Sequence, residues 1–191
     1  MTTPRARDLP FALPDPALVL MVGAAGSGKS TLARRLFAAD EILSSDALRA
    51  AIAGDARDQR ATGAAFAALG RALERRLAAG RLTVVDATDV RAADRRPLIE
   101  AARRHAIPVV AIVLDLPAAT ILAQDAGRDR VVGSAVITRH LAALRRTMDG
   151  GELEREGVTA VRVVRGHDEA RTLTIVRVRA EDRARPAPQD R

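Results

Sequence analysis

Five short apolar runs divide the chain, and segments with helical periodicity separate them. The runs are rich in Val, Ile and Leu and lie at residues 19–22, 41–43, 81–86, 109–114 and 158–164, with residues 172–178 as a further edge strand. Runs of this length bounded by turn residues predict buried β-strands.

The segments between the runs predict helices. Leu32, Ala33, Leu36 and Phe37 follow the first run at helical spacing, and residues 58–79 carry apolar side chains at every fourth position. Further helices are predicted near residues 46–53, 92–105, 117–127 and 132–148. Strands that alternate with helices require a mainly parallel sheet with helices on both faces. We therefore predict an α/β fold of three layers around a five-stranded sheet, with a helical lid at 117–147.

The two ends of the chain lack this pattern. Residues 1–16 contain four prolines and no periodicity, which predicts a flexible lead-in, and residues 180–191 predict a disordered tail. One domain over 17–179 fits the length. The apolar runs are shorter than the roughly 20 residues of a spanning helix, and cysteine is absent. We expect a cytoplasmic protein that does not contact a membrane.

The first apolar run leads into the sequence G-x-x-x-x-G-K-S at residues 23–30, which a helix follows. This is the P-loop pattern, in which backbone amides and a helix N-terminus surround phosphate groups. It predicts ATP binding by Gly23, Ala24, Ala25, Gly26, Ser27, Gly28, Lys29, Ser30 and Thr31. Lys29 is the only lysine among 31 basic residues, so this position requires a compact ammonium. A chance glycine turn before a helix is the alternative.

Two carboxylates follow the ends of predicted strands. Asp86 ends the run at 81–86, and with the Ser30 hydroxyl it is the candidate ligand for Mg²⁺. Asp46 follows the neighbouring strand and is a candidate general base toward an attacking hydroxyl. The alternatives are a turn carboxylate for Asp86 and a plain helix N-cap for Asp46. Because ligands collect at the carboxyl ends of parallel strands, we expect both residues to share one crevice with the P-loop.

The composition favours a polyanionic partner. The net charge is +7 and the isoelectric point is near 11.3, although an arginine-rich composition by itself gives the same values. Only three phenylalanines and no other aromatic residues are present, which excludes a base-stacking platform of the kind that binds single strands. The three histidines lack metal-ligand spacing, and we assign none of them a role; His140 is expected on a helix surface.

Together these motifs resemble the 5′-OH polynucleotide kinase family, especially the kinase module of bacterial RNA end-healing enzymes. The resemblance spans residues 18–165 and rests on six matching segments: 26–31, 42–46 with Arg49, 58–59, 80–88, 95–100 and 139–140. It implies a P-loop kinase fold, ATP and Mg²⁺ as cofactors, and catalysis by Lys29 and Asp46.

The resemblance also assigns residues that contact the substrates. Arg49 would hold a phosphate of the acceptor strand, with Arg95 as a further substrate-binding residue. Arg128 and Arg130 would clamp the donor phosphates from the lid, although a solvated charge run is the alternative for them. The chain departs from the family at 124–126, where Gln-Asp-Ala replaces an arginine and an asparagine, and at Asp89, where asparagine is usual.

The sequence is compatible with three functions. Phosphorylation of a 5′-hydroxyl of RNA or DNA follows from the order of the motifs. A kinase for a small-molecule hydroxyl, such as a nucleoside, sugar or antibiotic, would use the same base and lid. An ATP-binding switch module would need no acceptor, and the presence of Asp46 argues against it. The sequence leaves the acceptor and the oligomeric state open.

Overall fold

A computed structural model of the protein describes residues 9–53, 62–127 and 131–179. Its strands are β1 (Phe11–Asp15), β2 (Leu18–Gly23), β3 (Ile42–Ser44), β4 (Thr83–Asp86), β5 (Val109–Leu114), β6 (Val158–Val164) and β7 (Ile175–Arg179). Five of them form a parallel sheet in the order β3-β4-β2-β5-β6. The predicted α/β fold with a parallel five-stranded sheet is confirmed.

Helices connect these strands. They are α1 (Lys29–Leu36), α2 (Ser45–Ala53), α3 (Thr62–Ala78), α4 (Ala92–Arg104), α5 (Ala118–Ala126), α6 (Ser134–Asp149), α7 (Glu152–Glu156) and α8 (His167–Thr172), and a short 3-10 turn spans Ala39–Glu41. The periodicity predicted α1 to α6. The last two helices were not predicted because segments of five and six residues are too short to show a period.

The sheet is buried on both faces, as the side chains of β2 demonstrate. Leu18, Leu20 and Val22 pack in one apolar cluster with side chains of α3, α4 and α6. Val19 and Met21 point the other way and pack with residues of α1 and β1. Successive side chains of a strand face opposite sides of the sheet, so this alternation places helices on both faces.

Residues 11–15 correct the prediction of a flexible lead-in through residue 16. They form β1, which pairs in parallel with β7 and not with the central sheet. Phe11 and Leu13 are buried in the second apolar cluster, and the Phe11 amide donates to the Thr174 carbonyl oxygen at 2.8 Å. Pro14 is compatible with this strand because a two-stranded sheet leaves one side of each strand unpaired. Residues 1–8 of the predicted lead-in and the predicted tail at 180–191 lie outside the described residues.

We find no helix in residues 9–53, 62–127 and 131–179 that combines the length and the apolar character needed to cross a bilayer.

A fully buried arginine ties the segment after β4 to two helices. Arg95 of α4 is 0% exposed, and its Nε and Nη2 atoms donate to both carboxylate oxygens of Glu156 at 2.7 and 2.6 Å. Its Nη1 atom donates to the backbone oxygen of Asp89 at 2.9 Å. Asp89 has a left-handed φ of 46°, which a non-glycine residue adopts only where contacts hold it. Arg95 therefore fixes the loop that follows β4.

Replacing Arg95 should therefore destabilise the whole domain. In the Arg95→Ala variant the Glu156 carboxylate, 18% exposed, loses its cation, and breaking a buried pair in this way costs about 3–5 kcal/mol. Urea unfolding followed by circular dichroism measures the difference. The matched control is Arg96→Ala, which removes a 79% exposed arginine of the same helix and should change the unfolding free energy by less than about 0.5 kcal/mol. Equal losses in the two variants would contradict this assignment.

Candidate active site

The loop between β2 and α1 is shaped by left-handed glycines. Gly26 has a φ of 84° and Gly28 has a φ of 91°, and Gly28 is the N-cap of α1. Side chains rarely tolerate these backbone conformations, which explains glycine at both positions. The loop delivers the chain directly into α1, whose first amides have no partner within the helix. Those amides and the positive end of the helix dipole form a site for an anion.

Lys29 lies across this loop. Its side chain is buried, and Nζ donates to the carbonyl oxygens of Gly23 at 2.9 Å and Ala24 at 2.8 Å. The contacts hold the ammonium beside the loop amides, and Lys29 also lines a cleft of about 1320 Å³ at the carboxyl edge of the sheet.

Strand pairing brings the carboxylates into that cleft. Asp86 at the end of β4 is in register with Met21 of β2 and Ser44 of β3, so three strand ends lie side by side. Asp86 is 7% exposed, and Asp86, Ser30 and Asp46 all line the cleft with Lys29. The P-loop and the two carboxylates therefore share one crevice, as the topology predicted.

Asp46 does not cap its helix. The amide of Ala47 donates to the Ser44 hydroxyl oxygen at 3.3 Å, so Ser44 supplies the polar contact at the start of α2. The Asp46 side chain is 67% exposed, and its Oδ1 accepts a hydrogen bond from Arg49 Nη1 at 2.6 Å. Arg49 is largely buried and also lines the cleft. The alternative of a plain N-cap is thereby removed.

Asp89 is a buried carboxylic acid in the wall of the cleft, and its pKa is raised. It is 2% exposed, it lines the cleft, and its Oδ2 has no hydrogen-bond partner among the described residues. Burial raises the pKa of Asp89 to about 7, and the negative charge of Asp94 adds to this effect while Lys29 and Arg95 oppose it. A proton can therefore be held here near neutral pH, which asparagine at this position would not allow.

The helices α5 and α6, which lie in the predicted lid, are joined by a buried carboxylate. Asp125 is 3% exposed and accepts hydrogen bonds from the amides of Val132, at 2.9 and 3.1 Å, and Gly133, at 3.0 Å. Ile121 of α5 lies near Gly26 and anchors the lid on the P-loop. At 124–126, where the chain differs from the polynucleotide kinases that it resembles, Asp125 thus accepts hydrogen bonds that hold the start of α6. Arg128 and Arg130, the predicted lid arginines, lie outside the described residues, as does the segment 58–59.

His140 contacts the P-loop, which the sequence did not indicate. Its Nδ1 atom accepts a hydrogen bond from the Ala25 amide at 3.3 Å, and the ring is half-buried in the cleft. Burial lowers the pKa of His140, and the positive charges of Lys29, Arg139 and Arg91 lower it further. The expectation that His140 is a surface helix residue is therefore wrong. The contact leaves no local signal in the sequence, because Ala25 lies 115 residues away.

Arg95 corrects another prediction. Its side chain is 0% exposed and donates to Glu152 and Glu156 of α7 and to the backbone oxygen of Asp89, and it does not line the cleft. A side chain with no accessible surface cannot touch a substrate. Arg95 therefore supports the wall of the site, whereas Arg91, Arg139 and Arg146 face the cleft.

A smaller cavity of about 340 Å³ also adjoins the P-loop. It is lined by backbone of Gly26 to Gly28 and by side chains of α1, α5 and α8, among them Thr31, Arg35, Gln124, His167 and Arg171. Gln124 Nε2 and His167 Nε2 lie 3.1 Å apart. The P-loop therefore adjoins two cavities, one beside Asp46 and one beside α8.

The fold is shared with several solved kinases. A sugar kinase from Janibacter sp. HTCC2649 aligns with a TM-score of 0.52 and 21% identity over 78% of this chain and 85% of its own. A gluconokinase from Sinorhizobium meliloti 1021 gives 0.57 and 18% over 83% and 90%. A chain of the Pnkp1/Rnl/Hen1 RNA repair complex gives 0.62 and 19% over 71% of this chain and 46% of its own. At these identities the likeness shows the fold alone.

No curated protein sequence matches the chain. A family model described as an AAA domain does match, over residues 18–150. This range is more than half of the chain, and it runs from β2 through the P-loop, both carboxylates and the lid helices to the end of α6. The match therefore shows that the chain belongs to this AAA domain family.

Proposed function

We propose that the protein transfers the γ-phosphate of ATP to a hydroxyl group, with a 5′-hydroxyl of RNA or DNA as the acceptor. The observation that carries the proposal is the position of Asp46, an exposed carboxylate that faces the same cleft as Lys29. A P-loop alone binds nucleotide, but a carboxylate across from it supplies the base that a kinase needs. The family and the structural neighbours also support a phosphotransferase of the P-loop kinase fold.

The nucleotide fits along the P-loop. The loop amides, Lys29 and the N-terminus of α1 would hold the phosphates by hydrogen bonds and charge. The smaller cavity would take the base, because it adjoins the loop, is not lined by Asp46, and offers the polar edges of Gln124 and His167. This direction points the γ-phosphate toward the large cleft, where an acceptor can enter.

Ser30 and Asp86 fit a magnesium ion. Both supply the hard oxygen ligands that Mg²⁺ prefers, and both line the cleft beside Lys29. In residues 9–53, 62–127 and 131–179 no group of three His, Asp or Glu side chains could hold a metal. Mg²⁺ needs no such group, because it is usually held by one or two protein ligands and the substrate phosphates. When bound, the ion would neutralise charge on the phosphates.

In the transfer step Asp46 would accept the proton of the acceptor hydroxyl. The acceptor oxygen then forms a bond to the γ-phosphorus while the bond from that phosphorus to the bridging oxygen breaks, and ADP leaves with the electron pair. Lys29 would stabilise the negative charge on the transferring group. Arg49, bound to Asp46 at 2.6 Å, orients the carboxylate and could also contact an acceptor phosphate.

Charge on the cleft wall supports an anionic acceptor. Arg139 and Arg146 of α6 are exposed and line the cleft, in addition to Arg49. Residues seven apart on a helix share a face, so both arginines of α6 can meet one extended substrate. With a net charge of +7, this arrangement suits a nucleic acid strand with phosphates beyond its 5′-hydroxyl.

A small-molecule hydroxyl is the second candidate acceptor. Two of the solved structures that share this fold are a sugar kinase and a gluconokinase, and one fold can serve both chemistries. The deciding experiment incubates the full chain with labelled ATP, Mg²⁺ and a panel of 5′-hydroxyl oligonucleotides, nucleosides and sugars. Label on an oligonucleotide supports the proposal. Label on small molecules alone supports the second candidate, and nucleotide binding without label on any acceptor would favour a switch module.

Lys29 tests the phosphate site. The Lys29→Arg variant should lose transfer about 10²-fold or more, because a planar guanidinium cannot replace a compact ammonium that donates to two loop carbonyls and the phosphates. Thermal unfolding checks that the fold is retained. Turnover close to wild type would contradict the role of Lys29.

Asp46 tests the base. The Asp46→Asn variant should bind ATP as the wild type does but lose transfer by about 10² to 10⁴-fold, which is the usual effect of removing a general base. The matched control is Asp40→Asn, since Asp40 is also exposed and paired with an arginine but lies outside the cleft. A parallel loss of ATP affinity in Asp46→Asn would indicate that Asp46 holds the metal and not the acceptor proton.

Arg49 tests the acceptor class. The Arg49→Ala variant should raise the Michaelis constant for a 5′-hydroxyl strand with a 3′-phosphate by about 10-fold or more, but affect a bare nucleoside less. The oligonucleotide constant should also rise with salt, because phosphate neutralisation releases counterions. Steady-state rates at two salt concentrations with saturating ATP measure both effects, and Arg96→Ala serves as the control. Equal defects on both acceptors with no salt slope would favour the small-molecule kinase.

A further inference from the structure

We propose that His140 binds the γ-phosphate of the nucleotide and takes up a proton when it does so. The inference rests on the proposed function, since it adds a contact to the same nucleotide. In the structure the Ala25 amide donates a hydrogen bond to the Nδ1 atom of His140, at 3.3 Å. The exchange of that amide for a phosphate is the event that we infer.

The position of Ala25 selects which phosphate is involved. Ala25 lies in the loop whose amides face phosphate groups, and it lines the large cleft together with Asp46. Ala25 does not line the smaller cavity, which is bounded by Gly26 to Gly28 and adjoins α8. The Ala25 amide is thus on the acceptor side of the loop. The phosphate that reaches it is the one that will be transferred.

The protonation state of His140 follows from its hydrogen bond and its surroundings. A ring nitrogen that accepts a hydrogen bond from an amide carries no proton. Nδ1 of His140 is therefore unprotonated when the Ala25 amide donates to it. The charged groups whose electrostatic fields act on the ring are Lys29 of α1, Arg139 of α6, Arg91 before α4, and Asp94 of α4. Burial and the three cations lower the pKa of His140 below its usual 6.5, and Asp94 opposes them. The ring is therefore neutral at pH 7.

A γ-phosphate reverses this balance. When its oxygens accept the Ala25 amide, Nδ1 loses its donor and faces a group with two negative charges. A nearby anion favours the charged form of histidine, so Nδ1 gains a proton from the solvent and donates it in a hydrogen bond to a phosphate oxygen. ADP has no γ-phosphate and leaves the bond between Ala25 and His140 in place. His140 thus discriminates between the donor nucleotide and the product nucleotide.

The sign of the pH dependence follows directly. Binding that takes up a proton weakens as the pH rises, within the window between the pKa of the free histidine and that of the bound one. The free value lies below 6.5, so the affinity for MgATP should fall through neutral pH. ATP itself and Asp89 also titrate in this range. A variant comparison is therefore needed to isolate the contribution of His140.

The test is calorimetric titration of the full chain with MgATP and with MgADP at pH 7, in two buffers of different protonation enthalpy. The His140→Asn variant places a carbonyl acceptor where Nδ1 stands and cannot take up a proton. We expect the wild type to absorb up to about one proton more per MgATP than this variant, and no more per MgADP. The control His105→Asn, which alters a histidine paired with Glu74 outside the cleft, should match the wild type.

Equal proton uptake by the wild type and His140→Asn would overturn the inference, as would the same difference with MgADP. If His140→Asn does not fold, nitrogen NMR of the histidine-labelled wild type decides, because the Nδ1 signal of His140 must move to its protonated position when MgATP is added. Transfer with no such protonation overturns this inference alone. Failure of the wild type to bind MgATP overturns it together with the proposed function.

Discussion

Parallel pairing of β2, β3 and β4 is the constraint on which the site depends. Met21, Ser44 and Asp86 are neighbours in register, so the chain must leave all three strands at one edge of the sheet. From that edge β2 continues into the P-loop, β3 into the helix that carries Asp46, and β4 ends on a carboxylate. A slip of one residue in either pairing would turn these side chains to the opposite face of the sheet. The backbone register, more than any side-chain contact, therefore assembles the chemistry.

The parts of the site that could be predicted from the sequence are those with local signals. The P-loop carries its glycines and lysine within eight residues, and Asp86 is visible as the end of an apolar run. Arg95 and His140 show the limit of this approach. Their partners Glu156 and Ala25 are 61 and 115 residues away. In the sequence alone, Arg95 and His140 therefore look like ordinary charged or polar residues of a helix. The strand β1 was missed for the same reason, because only the distant β7 makes residues 11–15 regular.

The segment 124–126 shows that the fold tolerates residues that differ from those of the resembled family. Where relatives of the resembled family place an arginine and an asparagine, this chain has Asp125, which accepts two backbone amides at the start of α6. One carboxylate thus sets the position of α6, and with it the direction in which Arg139, His140 and Arg146 face the cleft. The residues that distinguish one acceptor from another in this proposal are carried by α6 and α2. The P-loop itself is common to kinases with unrelated acceptors.

The pairing of β1 with β7 has a consequence for how the protein is made. Phe11 and Leu13 precede their partners Ile175 and Arg177 by most of the described chain, so they are synthesised long before them. The apolar layer that these strands complete also contains Leu32 and Ala33 of α1, the helix that begins at Lys29. During translation that layer stays open to water on one side until β7 emerges from the ribosome. The helix that supports the phosphate site therefore reaches its final packing only after β7 has been synthesised.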